Sequence, residues 1–256
     1  ATVHGIDFLD KNLNLCRAIA KENPQFKVTF EENRVENVVQ LIKKNQYDLV
    51  LGLSIFHHVA YEHGKDFVKK LMAILAKNVD VGLFEFALPI EPLYWAKSQP
   101  TNPKEFLSNY SFIHELAWHK THLSEILRPL YVASNRYWIF SDQIEEFFDF
   151  KSESHSLSKG IFQGTRKYFF SKEYFLKHYR LDNDALKLTN LKEYNQEINF
   201  SKKYTNLFPY NKIISSGKNE NEAWVVSKKI EGKLLSELIE NQEKIDAKKI
   251  LKQILK

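Results

Sequence analysis

Short apolar runs alternate with helically spaced segments over the first 88 residues of the chain. The strand-like runs lie at residues 1–7, 26–30, 47–56 and 81–88, and the helical segments lie at residues 12–20, 35–44 and 66–76. Strands that alternate with helices of this length form a parallel sheet with crossover helices. The pattern therefore predicts an α/β fold in which ligands bind at the carboxyl ends of the strands.

Polar residues stand where these strands end, and they are candidates for nucleotide recognition. Asp7 ends the first strand, where its carboxylate can accept hydrogen bonds from both hydroxyls of a ribose. Residues 33–36 follow the second strand and can frame an adenine ring, while Leu53 and Ser54 follow the third strand near the reacting group. A helix N-cap is the alternative role for both Asp7 and Asn33.

Two adjacent histidines, His57 and His58, follow the third strand. One of them can hydrogen-bond an anionic acceptor, or the pair simply begins a helix and caps the sheet. His119 and His122 are three positions apart, but no further ligand stands at a spacing typical of a metal site. We therefore predict no metal in this half of the chain.

Residues 88–140 depart from the alternation, because prolines interrupt any long helix and aromatic residues are dense. Aromatic side chains among polar ones can form a sugar-binding wall, although they also occur as plain domain packing. Arg128 can clamp a phosphate or carboxylate through two parallel hydrogen bonds, or it can serve as a structural arginine. The aromatic set consists of Tyr94, Trp95, Trp118, Tyr131, Tyr137 and Trp138.

Charge is distributed unevenly along the chain. Residues 1–150 carry 16 Lys/Arg against 19 Asp/Glu, whereas residues 151–256 carry 21 against 13. The basic second half suits phosphate ligands, anionic glycans or a membrane surface. No nucleic-acid partner is predicted, because the lysines are scattered among acidic residues instead of forming a stripe. The single cysteine, Cys16, fits core packing in a reducing cytoplasm.

A polar stretch at residues 151–159 predicts the boundary between a domain at residues 1–150 and another at residues 151–256. The following run predicts a hairpin with Gly160 and Gly164 at or near its turn. Such a turn can place backbone N–H groups over the phosphates of a nucleotide, although any hairpin favours glycine there.

Lys177 lies in an apolar strand at residues 173–181, so its ammonium group needs an anionic partner. The helical segment at residues 189–203 offers Glu193 and Glu197, and Glu197 has the apolar neighbours expected on an inward face. Kinases pair one strand lysine with one helix glutamate in this way. Two ordinary surface charges are the alternative.

A further apolar strand at residues 223–226 runs into Ser227, Lys228 and Lys229. A hinge of this form offers backbone groups to an adenine ring. The second half therefore has the strand, helix and hinge order of a kinase N-terminal lobe.

The tandem of motifs resembles the WbdD-type bifunctional O-antigen chain terminators, in which a methyltransferase is fused to a sugar kinase. The resemblance implies a class I methyltransferase-like parallel sheet, entered at its second strand, followed by an α+β protein-kinase-like N-lobe. A nicotinamide-binding sheet would also place an acid at Asp7, but the histidine run favours the methyltransferase. The motifs are GID at 5–7, ENP at 22–24, YDLVLGLSIFHHV at 47–59, EPLYWAKSQP at 91–100, THLS and RPLYVASN within 121–135, RKYFF at 166–170 and AWVVSKKIEGKLLSELI at 223–239.

The resemblance also implies an activity. The kinase would phosphorylate the terminal sugar of a lipid-linked O-polysaccharide, using ATP with Mg²⁺, and the methyltransferase would methylate that phosphate with S-adenosylmethionine, which ends chain growth. The protein would be cytoplasmic and peripheral at the inner face of the cell membrane, beside a polysaccharide polymerase. Arg34, Arg128, His57 and His58 would neutralise the charge of the acceptor, without a catalytic base.

Site residues follow from the same resemblance. It implies that Lys177 and Glu197 position ATP, with the hinge Ser227, Lys228 and Lys229 beside the adenine. The methyl-donor site would consist of Asp7, Phe8, Leu9, Asp10, Lys11, Asn12, Asn33, Arg34, Val35, Glu36 and Leu53.

Motifs expected of a methyltransferase and of a kinase are not found in the sequence. No glycine-rich loop precedes the first strand, and the kinase catalytic loop and magnesium-binding aspartate are not reached. We therefore expect residues 1–256 alone to bind ATP weakly and to transfer no phosphate. The alternatives are a small-molecule methyltransferase with an accessory module, and a non-catalytic scaffold that binds glycan or polymerase.

Overall fold

The computed structural model describes residues 1–121, 124–141, 143–152, 160–162, 164–182, 184–204, 212–232, 235–243 and 245–254. The chain divides into two compact units, Ala1–Trp138 and Ile139–Lys256. This division lies earlier than the predicted boundary after residue 150, because the strand Asp149–Lys151 pairs within the sheet of the second unit.

The first unit contains strands and helices in the predicted alternation. The helices at residues 12–20, 35–44 and 66–76 correspond to α1, α2 and α4, and His57 and His58 lie in a further helix, α3. The elements are β1 (Thr2–Asp7), α1 (Asp10–Glu22), β2 (Lys27–Glu32), α2 (Val35–Leu41), β3 (Leu49–Gly52), α3 (Phe56–His63), α4 (Lys65–Asn78), β4 (Val81–Glu85), β5 (Phe112–Thr121) and β6 (Ser124–Ser134), with short 3₁₀ turns at Ala96–Ser98 and Pro103–Leu107.

Two sheets form in this unit, and they mix parallel and antiparallel pairing. Strands β1 and β2 are parallel, with Asp7 opposite Glu32. Strands β3 and β4 are also parallel, and the antiparallel pair β6 and β5 extends their sheet in the order β3-β4-β6-β5. The α/β class is confirmed. Both strand pairs within residues 1–88 are parallel, as predicted, but they lie in two sheets, and the antiparallel hairpin of β5 and β6 makes one of these sheets mixed.

The core of this unit holds the end of β3 against the start of α3. Helix α4 buries Val68, Leu71 and Leu75 at helical spacing against this core. A Cβ atom on Gly52 would lie 2.5 Å from the ring of Phe56. This close approach fixes the turn that follows β3, where polar side chains gather.

The second unit is built on a five-stranded antiparallel sheet in the order β9-β10-β11-β13-β12. Helix α5 packs on it through a core that includes Tyr179, Tyr194 and Val225. The first arm of the predicted hairpin, at residues 157–159, lies outside the described residues, and its second arm, β10, pairs with β9 and β11. The remaining elements are β7 (Tyr137–Phe140), β8 (Gln143–Glu146), β9 (Asp149–Lys151), β10 (Arg166–Phe170), β11 (Tyr174–Arg180), α5 (Asp184–Tyr204), β12 (Ile213–Lys218), β13 (Glu222–Lys228), α6 (Leu235–Glu240) and α7 (Ala247–Ile254).

None of the helices in the described ranges combines the length and the hydropathy that crossing a bilayer requires.

Candidate functional site

Asp7 lies at the carboxyl end of β1, in the turn that leads into α1. Its two carboxylate oxygens accept hydrogen bonds from the backbone N–H of Leu9 at 2.8 Å and from the amide of Asn12 at 2.9 Å. The backbone N–H of Asn33 donates to the carbonyl of Asp7 at 3.0 Å. The structure therefore brings Asp7, Leu9, Asn12 and Asn33 together, and the carboxylate orders the start of α1 as a local cap would.

Arg34 lies beside Asn33 and is held by carboxylates. Its guanidinium donates to Glu62 at 2.7 Å and to Glu36 at 3.3 Å, and it lies over the ring of Phe8 at 5.3 Å. The hydrogen bond to Glu62, then that to Glu36, raises the pKa of Arg34. Possible ligand atoms of Glu36, Glu62 and His63 lie within 4.8 Å of one another, and Arg34 bonds to both carboxylates.

The other predicted methyl-donor residues occupy the same two turns or the end of β3. Phe8 and Leu9 are exposed before α1. Leu53 is exposed after β3, which belongs to the second sheet of the unit. Asp10, Lys11 and Asn12 open α1, and Val35 and Glu36 open α2.

Arg128, Glu85 and Glu91 form a buried ionic cluster near the end of β4. Arg128, which is only 2% exposed, donates two hydrogen bonds to Glu91 at 2.8 and 2.7 Å and one to Glu85 at 2.9 Å. Its guanidinium also lies 5.8 Å from the ring of Trp95. Burial acts to lower the pKa of Arg128, but the bonds to Glu91 and Glu85 raise it overall. Arg128 is therefore a structural arginine, and the ligand clamp is excluded because its donors face buried carboxylates.

Glu85 joins this cluster to the surface. The hydroxyl of Ser54 donates to one oxygen of Glu85 at 2.7 Å, and Nε2 of His119 lies 2.9 Å from the other. Burial acts to raise the pKa of Glu85, but hydrogen bonds from Ser54, His119 and Arg128 lower it overall. Ser54 has a φ of 52°, a left-handed conformation that is uncommon outside glycine and often marks a functional turn.

Glu85 and Glu91 are not among the site residues predicted from the sequence. A signal for Glu85 was available, because it is a lone carboxylate inside the apolar run at residues 81–88. A charge in such a run is either paired or functional. His119 was considered only as a metal ligand with His122, which lies outside the described residues.

The two histidines at the start of α3 lie against this cluster. His57 is buried, its Nδ1 has no hydrogen-bond partner, and its ring centroid is 4.5 Å from that of Trp95. Burial, with smaller effects of His58 and Arg128, lowers the pKa of His57 to about 3. Burial also lowers the pKa of His58, whose Nδ1 lies 3.1 Å from the hydroxyl of Tyr94. Both rings are therefore neutral near pH 7, which argues against the predicted charge neutralisation.

The aromatic residues of this region divide into two groups. Trp95, Tyr131 and Trp138 are buried and serve as packing. Tyr94 and Trp118 are exposed, and the ring of Tyr94 lies 4.9 Å from that of the exposed Tyr61 on α3. Of these two groups, only Tyr94 and Trp118 can therefore contact a sugar.

Removing the imidazole of His57 is expected to change how stability depends on pH. The pKa of His57 is about 3 in the folded chain, against 6.5 in the unfolded chain. The unfolded state therefore binds more protons between these values, and stability falls as pH decreases through this window. We expect His57→Phe to remove a slope of up to about 1.4 kcal/mol per pH unit. Urea unfolding across the window measures it, and parallel curves for both proteins would contradict a neutral buried His57.

In the second unit, Lys177 lies on β11 and reaches α5. Its Nζ is 3.0 Å from Oε2 of Glu197, and the hydroxyl of Tyr179 donates to the same oxygen at 2.9 Å. Burial, then the charges of Glu197 and Glu193, raises the pKa of Tyr179, so this hydroxyl stays a donor. The lysine and the glutamate line an open cavity of about 600 Å³ along α5.

Glu193, the other candidate on α5, has a different partner. Its carboxylate accepts a hydrogen bond from Arg166, whose Nε donates to Asn190 at 2.8 Å. Arg166 is buried and its guanidinium lies 3.4 Å from the ring of Phe162. The two glutamates are thus held by two different cations, one helical turn apart.

The predicted hinge follows β13. Ser227 is buried opposite Phe175, Lys228 ends the strand, and the backbone N–H of Lys229 donates to the carbonyl of Glu173 at 2.7 Å. Gly160 and Gly164 have φ of 74° and 71°, which glycine adopts readily, in the segment before β10.

The fold and the site define an α/β protein with mixed sheets, in which ionic side chains gather at strand ends and beside one helix. The whole chain is 35% identical to an Escherichia coli protein named O-antigen chain terminator bifunctional methyltransferase/kinase WbdD. A second protein of that name and organism is 34% identical over the same range. The chain spans 37% of the length of these curated relatives. No protein-family model matches the chain.

Solved structures of WbdD proteins also resemble this chain. The structure of monomeric WbdD covers 100% of this chain and 62% of its own, with a TM-score of 0.81 and 32% identity. A structure of the bifunctional kinase-methyltransferase WbdD covers 98% of this chain and 57% of its own, with a TM-score of 0.80 and 34% identity. The chain is therefore related over its full length to the WbdD-type proteins, which are transferases, and the predicted resemblance is confirmed.

Proposed function

We propose that the intact protein is a bifunctional transferase that ends the growth of an O-polysaccharide. It phosphorylates the terminal sugar of a lipid-linked chain and then methylates that phosphate. Similarity over the whole of this chain to relatives whose names state both activities supports this proposal. The observation that carries it is the ion pair of Lys177 and Glu197, because a strand lysine held by a helix glutamate is the positioning pair of a kinase.

In this proposal, residues 151–256 are a kinase-like N-lobe. ATP, with Mg²⁺, supplies the phosphoryl group, and Lys177 holds its α- and β-phosphates while Glu197 fixes the lysine. A cavity of about 600 Å³ beside this pair is in the range of nucleotide-sized ligands. The backbone of Ser227, Lys228 and Lys229 borders the adenine.

Residues 1–150 are proposed as a class I methyltransferase-like domain. S-adenosylmethionine supplies the methyl group, and Asp7 binds the ribose hydroxyls. Each carboxylate oxygen of Asp7 accepts one hydrogen bond from the described residues, and a carboxylate offers about four lone-pair sites, so it can accept two more. Asn33 lies next to Asp7, which suits the adenine end of the same ligand.

We also propose that the protein works peripherally at the inner face of the cell membrane, beside a polysaccharide polymerase. A lipid-linked substrate requires access to that surface. The excess of 21 Lys/Arg over 13 Asp/Glu in residues 151–256 favours anionic surfaces and phosphorylated ligands.

The proposal is tested by following both transfers with the full-length protein. With ATP, labelled S-adenosylmethionine and an oligosaccharide acceptor, we expect methylation to require ATP. With an acceptor that already carries a terminal phosphate, we expect methylation without ATP. ATP-independent methylation of an unphosphorylated acceptor supports the small-molecule methyltransferase, and absence of both transfers supports the scaffold.

A further inference from the structure

His119 stands at the surface end of the buried ionic cluster. Its side chain is 40% exposed, whereas the Glu85 carboxylate that it contacts is 6% exposed. Its Nε2 lies 2.9 Å from Oε2 of Glu85. The carboxylate thereby fixes the ring and leaves Nδ1 for another partner, and the described residues provide none.

The charge of the cluster favours a cation at this position. Glu85 and Glu91 share the single guanidinium of Arg128, so these three groups carry one excess negative charge. Carboxylate–histidine pairs of this kind fix the orientation of the ring and of its second nitrogen.

The side chains predicted to offset the charge of an anionic acceptor each contact other groups of the protein. Arg34 is bonded to Glu62 and Glu36, and Arg128 is buried against two carboxylates. His57 and His58 are neutral near pH 7 because burial lowers the pKa of both. Of the five side chains, Arg34 and His119 are exposed and keep donor positions without a partner among the described residues, and of these two only His119 contacts the carboxylate that Ser54 also contacts.

His119 also lies beside the expected reacting group. Ser54 and His119 contact the two oxygens of the same carboxylate, so both side chains converge on Glu85 at the end of β4. Ser54 directly follows Leu53, the residue predicted to lie near the methyl donor. Ligands of open α/β sheets bind at such strand ends.

We propose that His119 binds the phosphate monoester of the methyl acceptor, with Nδ1–H donating to a phosphate oxygen while Nε2–H donates to Glu85. This inference rests on the proposed function and adds a binding residue to it. The phosphate oxygen that attacks the methyl group needs no base, since it is already ionised. His119 orients the phosphate and offsets its charge, and the leaving sulfur takes the bonding electron pair.

The sharpest variant is His119→Gln, because the glutamine amide can still donate to Glu85 but has no counterpart of Nδ1. In the full-length protein, we expect the KM for a phosphorylated oligosaccharide to rise about 10- to 100-fold, the loss expected for one charged hydrogen bond. The KM for S-adenosylmethionine and the rate of ATP-dependent phosphorylation should stay within about twofold, which is within ordinary variation.

Lys120→Gln is the matched control. Lys120 is the next residue on β5, and its exposed side chain pairs with Glu125. The control should leave every kinetic constant unchanged. An unchanged KM for the phosphorylated acceptor in His119→Gln, or an equal rise in Lys120→Gln, overturns the inference.

A measurement on the unmodified protein avoids any folding defect of the variant. Diethyl pyrocarbonate acylates exposed imidazoles, and mass spectrometry quantifies the product at His119. We expect protection by the phosphorylated oligosaccharide and none by the same oligosaccharide without phosphate; equal labelling in both overturns the inference. If wild-type protein methylates the phosphorylated acceptor without protecting His119, only this inference fails; if it methylates none, the proposed function itself fails.

Discussion

Replacement of Arg128 with methionine is expected to lower the free energy of unfolding by about 3–5 kcal/mol, because it leaves two buried carboxylates without their cation. Glu85 and Glu91 are 5% and 3% exposed, and both bond to this guanidinium. The methionine has similar length, so little of the loss comes from a cavity. Urea unfolding at neutral pH, followed by circular dichroism, measures the change.

The control for this variant is Arg17→Met. Arg17 pairs with Asp10 at 3.1 Å, and both side chains are exposed. Exposed pairs contribute about 0–1 kcal/mol, so this variant should unfold near the wild-type denaturant concentration. Addition of Glu85→Gln and Glu91→Gln to Arg128→Met should recover part of the stability, because no uncompensated charge remains. Equal losses for the two arginine variants would disprove the buried cluster.

The second large effect is expected at Lys177. Lys177→Met should lower kcat/KM for phosphoryl transfer by about 10²–10³-fold, the loss typical of one preorganised group that stabilises the transferred charge. The reason is that methionine has no charge to hold on the nucleotide phosphates, while Glu197 keeps only the hydroxyl of Tyr179 as a partner. Transfer of labelled phosphate from ATP to an oligosaccharide, by the full-length protein, measures it.

Lys172→Met provides the comparison, because Lys172 is exposed in the turn between β10 and β11. It should phosphorylate at the wild-type rate. Methylation of an acceptor that is already phosphorylated should be unaffected by either variant, which separates the two proposed activities. Wild-type phosphorylation by Lys177→Met would remove the proposed role of the ion pair.

Much of the fold could be predicted because its signals are local. The periods of apolar residues distinguish strands from helices, and the predicted segments at residues 12–20 and 66–76 lie inside α1 and α4. The members of the Lys177–Glu197 pair were also named from sequence, since a lysine in an apolar strand needs a carboxylate nearby. The two residues are only 20 positions apart, within one strand–helix unit.

The arrangement around Arg128 could not be predicted in the same way. Its partners Glu91 and Glu85 lie 37 and 43 residues away in the chain. No periodicity connects these positions, and an arginine before a proline looks the same whether it faces a ligand or a carboxylate. The buried carboxylates around Arg128, and the burial that lowers the pKa of His57 and His58, argue against the predicted role of these residues in neutralising an acceptor.

The sequence by itself determined the order of strands and helices, the turns that carry polar residues, and the resemblance to WbdD-type proteins. The tertiary structure alone decided which charges are available to a ligand. Periodicity is a property of neighbouring residues, whereas the exposure of Arg128, His57 and His119 depends on groups that folding brings from distant parts of the chain. The antiparallel hairpin of β5 and β6 places Arg128 inside the protein and His119 at its surface, and that contrast defines the candidate acceptor site.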